Sequence, residues 1–147
     1  MAERINIVEE AAVELQKTGL LSAYRRDKLM KLVRTGISYP AFQKVLDDFS
    51  FTIEEWSTFL HLSERTLQRY KKNDTSFDSL QSERILQITL FYQRGIDVFG
   101  DRDNFDTWLN TVSIALGNIK PKELLDNSFG ISLLDEELTR IEHGVLA

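Results

Sequence analysis

Only two prolines interrupt this chain of 147 residues, and no stretch alternates apolar and polar residues for long enough to make a strand. What recurs instead is the apolar spacing of amphipathic helices, punctuated by residues that start or stop them. The expected fold is therefore all-α. There is no cysteine, which removes disulfide scaffolds, thiolate nucleophiles and Cys-ligated zinc together. Two histidines, His61 and His143, are too few for a His-rich metal site. No apolar run approaches the roughly 20 residues of a bilayer span, and the start MAERINIVEE has no signal-peptide core, so a soluble cytoplasmic protein is expected.

Start and stop signals divide the chain. Residues 3–17 place Ile5, Val8, Ala12 and Leu15 on one stripe, and residues 25–35 place Leu29, Leu32 and Val33 on another, ending at Gly36. Pro40 suits the first position of a short helix through Leu46. Thr52 and Glu55 read as a capping box, with Phe51 and Trp56 as its hydrophobic staple. That helix pauses at His61-Leu62-Ser63, and Ser63 is expected to cap a second helix from Glu64 to about Lys72. Asp78 and Gln81 resemble another capping box, opening a helix through Gln93 that is apolar all round: Leu80, Ile88 and Phe91 on one side, Leu86 and Leu90 opposite. Such a helix should be a buried connector. Further on, Asp103 is expected to cap a helix from Asn104 to about Ala115. Pro121 should restart a short helix ending near Gly130, and Ser132 should cap a last helix whose stripe is Leu134, Leu138, Ile141 and Val145.

Charge is unevenly distributed. The formal net charge of −5 resolves into +1 over residues 1–96 and −6 over residues 97–147. The basic groups of the first part include a specific pattern. Two short helices joined by a three-residue pause, about 52–72, have the dimensions of a helix-turn-helix. On the second helix Leu67 and Tyr70 face inward, while Arg65, Gln68, Arg69 and Lys72 share the opposite face, flanked by Thr66 and Lys71. Arginine can bond guanine bidentately and glutamine adenine, while Lys72, Lys71 and Ser63 suit phosphates. The competing reading is a merely solvated helix face.

A resemblance then adds to this reading. From about Lys31 to Ala147 the chain resembles the Xre/MbcA/ParS family of antitoxins, partners of RES-domain toxins. The residues that carry it are LVRTGISYPAFQKVL, LSERTLQRYKK, FDSLQSERILQI, VFGDRDNFDTWL and, most distinctively, ALGNIKPKELLDNSFGISLLDEELTRIEHGVLA. The resemblance implies a helical Xre-like helix-turn-helix module followed by a small helical toxin-binding domain. The first would span 1–99 and also dimerise, and the second would span 100–147. It implies binding of operator DNA through Ser63, Arg65, Thr66, Gln68, Arg69, Lys71 and Lys72. It also implies contacts to an NAD-consuming RES toxin through Trp108, Asn127, Gly130, Arg140, Ile141, His143, Gly144 and Val145, within a homodimer or a larger hetero-oligomer. The chain departs from the family where Asn118 replaces a second glycine, where Lys122 follows Pro121, and where His61 occupies a turn position that often holds glycine.

Residue by residue, alternatives remain open. Trp108 suits an interface anchor or, with Phe105, Leu109 and Val112 beside it, a core residue. His143 suits a toxin contact beside Arg140 or a residue favouring the helix dipole. Asp101, Asp103 and Asp106 lack the glycine-anchored spacing of a calcium loop and read as caps. No nucleophile–base motif and no phosphate-binding glycine loop is present, so no catalytic residue, metal or cofactor is expected. A second functional reading is a stand-alone helix-turn-helix repressor whose last third dimerises or senses a ligand.

Overall fold

The computed structural model describes residues 23–144; the stripe of residues 3–17 and Val145 lie outside it. Seven α-helices and one 3-10 turn follow in order: α1 (Ala23–Thr35), α2 (Tyr39–Asp48), α3 (Ile53–Leu60), α4 (Glu64–Asn73), α5 (Ser79–Phe99), α6 (Arg102–Leu109), the 3-10 turn Pro121–Leu124, and α7 (Ser128–Glu142). Among the described residues the one β feature is an isolated bridge between Ser113 and Ile119. The protein is all-α, as the pattern required.

The chain forms two compact units, one extending to Leu90 and one beginning at Phe91, so the boundary falls inside α5. In the first unit the expected caps form. Thr52 accepts from the Glu55 amide at 3.0 Å, and the Glu55 carboxylate accepts from the Thr52 amide at 3.1 Å. The staple closes with Phe51 and Trp56 rings 5.9 Å apart. Ser38 rather than the proline starts α2, accepting from the Ala41 amide, and Pro40 sits in the first turn, where its missing N–H leaves no bond unmade. The core is a chain of edge-to-face rings: Phe42 against Trp56 at 5.3 Å and against Phe77 at 5.0 Å, and Phe51 against Phe59 at 5.1 Å. Such pairs contribute about 0.5–1.5 kcal/mol each beyond the area they bury. α4 packs on both α2 and α3.

α5 opens with the Asp78–Gln81 exchange, at 3.1 and 2.7 Å. It then runs past the expected end at Gln93 as far as Phe99. Gly95, inside this extension, is a point of close approach: a Cβ there would collide with the Phe105 ring. The packing of that ring outweighs glycine's cost of about 1 kcal/mol in a helix interior. Ile85, Leu86, Ile88, Phe91 and Tyr92 are buried as an all-round apolar helix demands, but Leu80 is 75% exposed. Helical angle alone placed it inward; position along the axis puts it beyond the edge of the core.

The second unit corrects several expectations. Asp101, not Asp103, caps α6, accepting from the Asn104 amide at 2.7 Å. α6 stops at Leu109 rather than near Ala115. Its last turn is rich in side chains that bond back to carbonyls (Thr107 to Asp103, Asn110 to Asp106, Thr111 to Thr107), and these compete with continued helix. The chain then turns through the Ser113–Ile119 bridge, which leaves Val112 exposed rather than packed. Finally, the helix expected from Pro121 to Gly130 is only the 3-10 turn, and α7 begins a full turn earlier than Ser132, capped by Asn127 accepting from the Gly130 amide at 2.7 Å. Gly130 reads as a stop but serves packing: a Cβ there would strike the Leu124 carbonyl. Phe105, Leu109, Leu125, Leu134 and Leu138 form this unit's core.

Candidate nucleic-acid interface and terminal helix

The helix-turn-helix is assembled by local bonds. α3 ends with His61 in the left-handed region (φ +55°), and the Leu62 amide reaches back to the Ser57 carbonyl at 3.0 Å, a Schellman-type ending. Two residues later Ser63 caps α4, accepting from the Thr66 amide at 3.0 Å and donating to the Thr66 hydroxyl at 2.9 Å. Leu67 is fully buried, and Tyr70, half-buried, meets Phe77 edge-on at 5.4 Å. These two contacts fix the helix's rotation. Arg65, Gln68, Arg69, Lys71 and Lys72 are left exposed on the other side.

Two groups that matter here were not legible in the pattern. Glu64, exposed in the first turn of α4, places a carboxylate beside amides that would otherwise favour an anion, while Lys71 and Lys72 stand exposed in the last turn. Ser63 and Thr66 satisfy each other, which gives both a positioning part. The second group is Arg84, half-buried on α5, which donates to the Phe59 carbonyl at 3.2 Å and so braces the end of α3 just before the turn. A cation that acts through a carbonyl 25 residues away leaves no sequence trace.

In the second unit α7 is held by Arg94, whose guanidinium donates to the Asp135 carbonyl at 3.0 Å and to the Thr139 hydroxyl at 2.7 Å, with the Asp135 carboxylate at 3.4 Å. Burial pushes the Asp135 carboxyl above its ordinary pKa, and Arg94 opposes the shift without cancelling it. Arg140 and His143 stand exposed on the outer side of α7, Arg140 paired with the buried Glu137 at 2.9 Å. Asn127 is exposed at the helix start, where its side chain is committed to the cap. Gly130 and Ile141 turn toward the interior side, and Gly144, at φ +68°, ends the helix. Trp108 is half-buried, stacked on Phe105 at 5.9 Å and tilted over Phe99 at 5.4 Å. The structure thus gathers Arg140 and His143 on one face and leaves Trp108, Gly130 and Ile141 elsewhere. It also exposes Phe129 and Leu133 on that face, two apolar residues that composition assigns to a core. Among the described residues no group of three or more His, Cys, Asp or Glu is placed to hold a metal, and no helix is long and apolar enough to cross a membrane.

A helix-turn-helix in one unit and a separate helical unit after it define a helix-turn-helix protein with an appended helical domain. The family model of the antitoxin Xre-like helix-turn-helix domain matches residues 28–89, and that of the antitoxin Xre/MbcA/ParS C-terminal toxin-binding domain matches residues 94–144. The chain is 27% identical over 128 residues to an Antitoxin Xre of Yersinia enterocolitica, covering 86% of each chain. It is also 27% identical over 104 residues to an Antitoxin Xre of Photorhabdus laumondii, covering 65% of this chain and 70% of that one. The chain belongs to the Xre/MbcA/ParS family of antitoxins, with an Xre-like helix-turn-helix and a toxin-binding domain.

Proposed function

We propose that this antitoxin binds a RES-domain toxin through its second unit and sterically covers the cleft in which that toxin consumes NAD. In the cytoplasm, acting as a dimer, it also represses its own operon through α4. The observation that carries the DNA arm is the exposed face of Arg65, Gln68, Arg69 and Lys72, opposite a fully buried Leu67. Arg65, Gln68 and Arg69 read base edges, Lys71 and Lys72 neutralise phosphates, and Ser63 with Thr66 sets the helix's entry. On the toxin side no chemistry is asked of the chain: Asn127, Arg140, His143 and the residues after Gly144 supply contacts, and an acidic domain fills a site built for an anionic substrate. Few phosphates are neutralised per protomer, so operator affinity is modest and its fall with salt is correspondingly shallow.

Mobility shifts on the upstream operator test the DNA arm. Arg65→Ala and Arg69→Ala should each cost about 1–3 kcal/mol, whereas Lys72→Ala should weaken binding to all sequences and lower the salt slope by about one unit. Indifference to all three changes rules α4 out as the reader. Co-expression with a RES-domain toxin tests the other arm, through rescue of growth. Failure to rescue, with operator binding retained, favours the stand-alone repressor.

A further inference from the structure

We propose that the outward face of α7, formed by Phe129, Leu133, Glu136, Arg140 and His143, is the surface by which the second unit grips its toxin, and that the toxin meets it with an apolar pocket rimmed by cationic side chains. This rests on the toxin–antitoxin reading above and adds to it the face and chemistry of the contact. The five residues follow one another at helical spacing, within about 80° around the axis. Phe129 is 87% exposed and Leu133, one turn further on, 50% exposed, so the two make a contiguous apolar patch at the start of the helix. All five are exposed. The opposite side of α7 already carries the packing, with Ile131, Leu134 and Leu138 buried.

A single exposed apolar residue needs no explanation, but paired large ones do. Phenylalanine at this exposure contributes little to the fold and is well suited to fill a partner's pocket. Charge selects the occupant. Residues 97–147 carry a net charge of −6, and Arg140 on the stripe is already paired with Glu137, which leaves Glu136 as its uncompensated charge. Two copies joined through this face would bring like-charged domains together. A toxin cleft that accepts a dinucleotide holds cations for its phosphates, and those cations would lie beside the acidic rim. The other exposed apolar pair, Val112 and Ile114, sits in the loop between α6 and the 3-10 turn and belongs to no helix face.

The test titrates the full chain against a purified RES-domain toxin by calorimetry. Melting curves check the fold of each variant. Phe129→Ala should weaken binding about 30-fold or more and Leu133→Ala several-fold, while Ile114→Ala and Val112→Ala should stay within about twofold. Glu136→Lys should slow association, most at low salt. Unchanged affinity of Phe129→Ala beside a tightly binding wild type overturns the proposal and leaves the toxin reading standing. Failure of the wild type itself to bind overturns both. Sedimentation adds a third arm: a wild-type dimer that Phe129→Ala turns into a monomer means that a second copy occupies this face, which also overturns the proposal.

Discussion

α4 and α7 solve the same problem in opposite chemistry. Each buries one stripe, Leu67 with Tyr70 in α4 and Leu134 with Leu138 in α7, and each offers the reverse side to solvent. α4 offers cations and an amide; α7 offers an aromatic ring and a leucine, with charges following. The difference shows which surfaces a sequence betrays. A lysine or arginine is almost never fully buried, so a cluster of them on one helical face announces its orientation. The stripe of Leu134 and Leu138 marks the inner side of α7, but Phe129 and Leu133, one turn apart on the other side, carry no charge to announce that they stay uncovered.

The sharpest way to break this comparison sets two phenylalanines of the same unit against each other. Phe105→Ala should cost about 3–5 kcal/mol in denaturant unfolding, because the ring is fully buried against Phe91, Tyr92 and Phe99, while Phe129→Ala should change stability by less than about 0.5 kcal/mol. Similar costs at both sites would mean that the outer face of α7 is a second core. Next in size, Gly130→Ala forces a methyl group onto the Leu124 carbonyl and should lower stability by about 1–3 kcal/mol, with the loss read by thermal melting. A neutral result would place the start of α7 further from the 3-10 turn. For the first unit, Thr52→Ala breaks both bonds of the capping box and should cost about 0.5–2 kcal/mol, weakening operator binding only in proportion to the fraction unfolded. A larger loss of DNA affinity at full folding would give Thr52 a direct contact.

The smallest effect concerns pH. The folded-state pKa of Asp135 is raised by burial, so the folded protein holds this proton more tightly than the unfolded chain does. Its contribution is fully present below the unfolded value and declines as pH rises through the folded one, in the acidic range. Asp135→Asn should therefore steepen the acid limb of the stability curve, because the carboxyl it removes loses stability over the range in which the limb climbs. A flatter limb in the variant would mean that Arg94 dominates over burial.

How far the sequence spoke depended on range. The capping boxes at Thr52–Glu55 and Asp78–Gln81, the cap at Ser63 and the outward face of α4 each rest on residues within a few positions of one another, and all formed as read. The helix end expected at Gln93 and the stop expected near Gly130 both fail because what decides Gly95 and Gly130 is a ring and a carbonyl brought in from elsewhere in the chain. The cap at Asp101 in place of Asp103, and the cap at Asn127 in place of Ser132, follow from the same blindness: several residues had the right chemistry, and tertiary packing chose among them. Arg84 and Arg94, which hold α3 and α7 through carbonyls, have no local pattern at all.

His61 has one more consequence, and it concerns time. A left-handed turn costs a side-chain-bearing residue about 1–2 kcal/mol relative to glycine, and here that strain sits at the joint that presents α4. Strain at a joint raises the fraction of molecules in which the joint is briefly open, and cleavage by proteases follows that fraction. His61→Gly should therefore give a longer-lived protein under limited proteolysis, with the fold unchanged. The residue at this turn would act as a clock on how long α4 keeps its place.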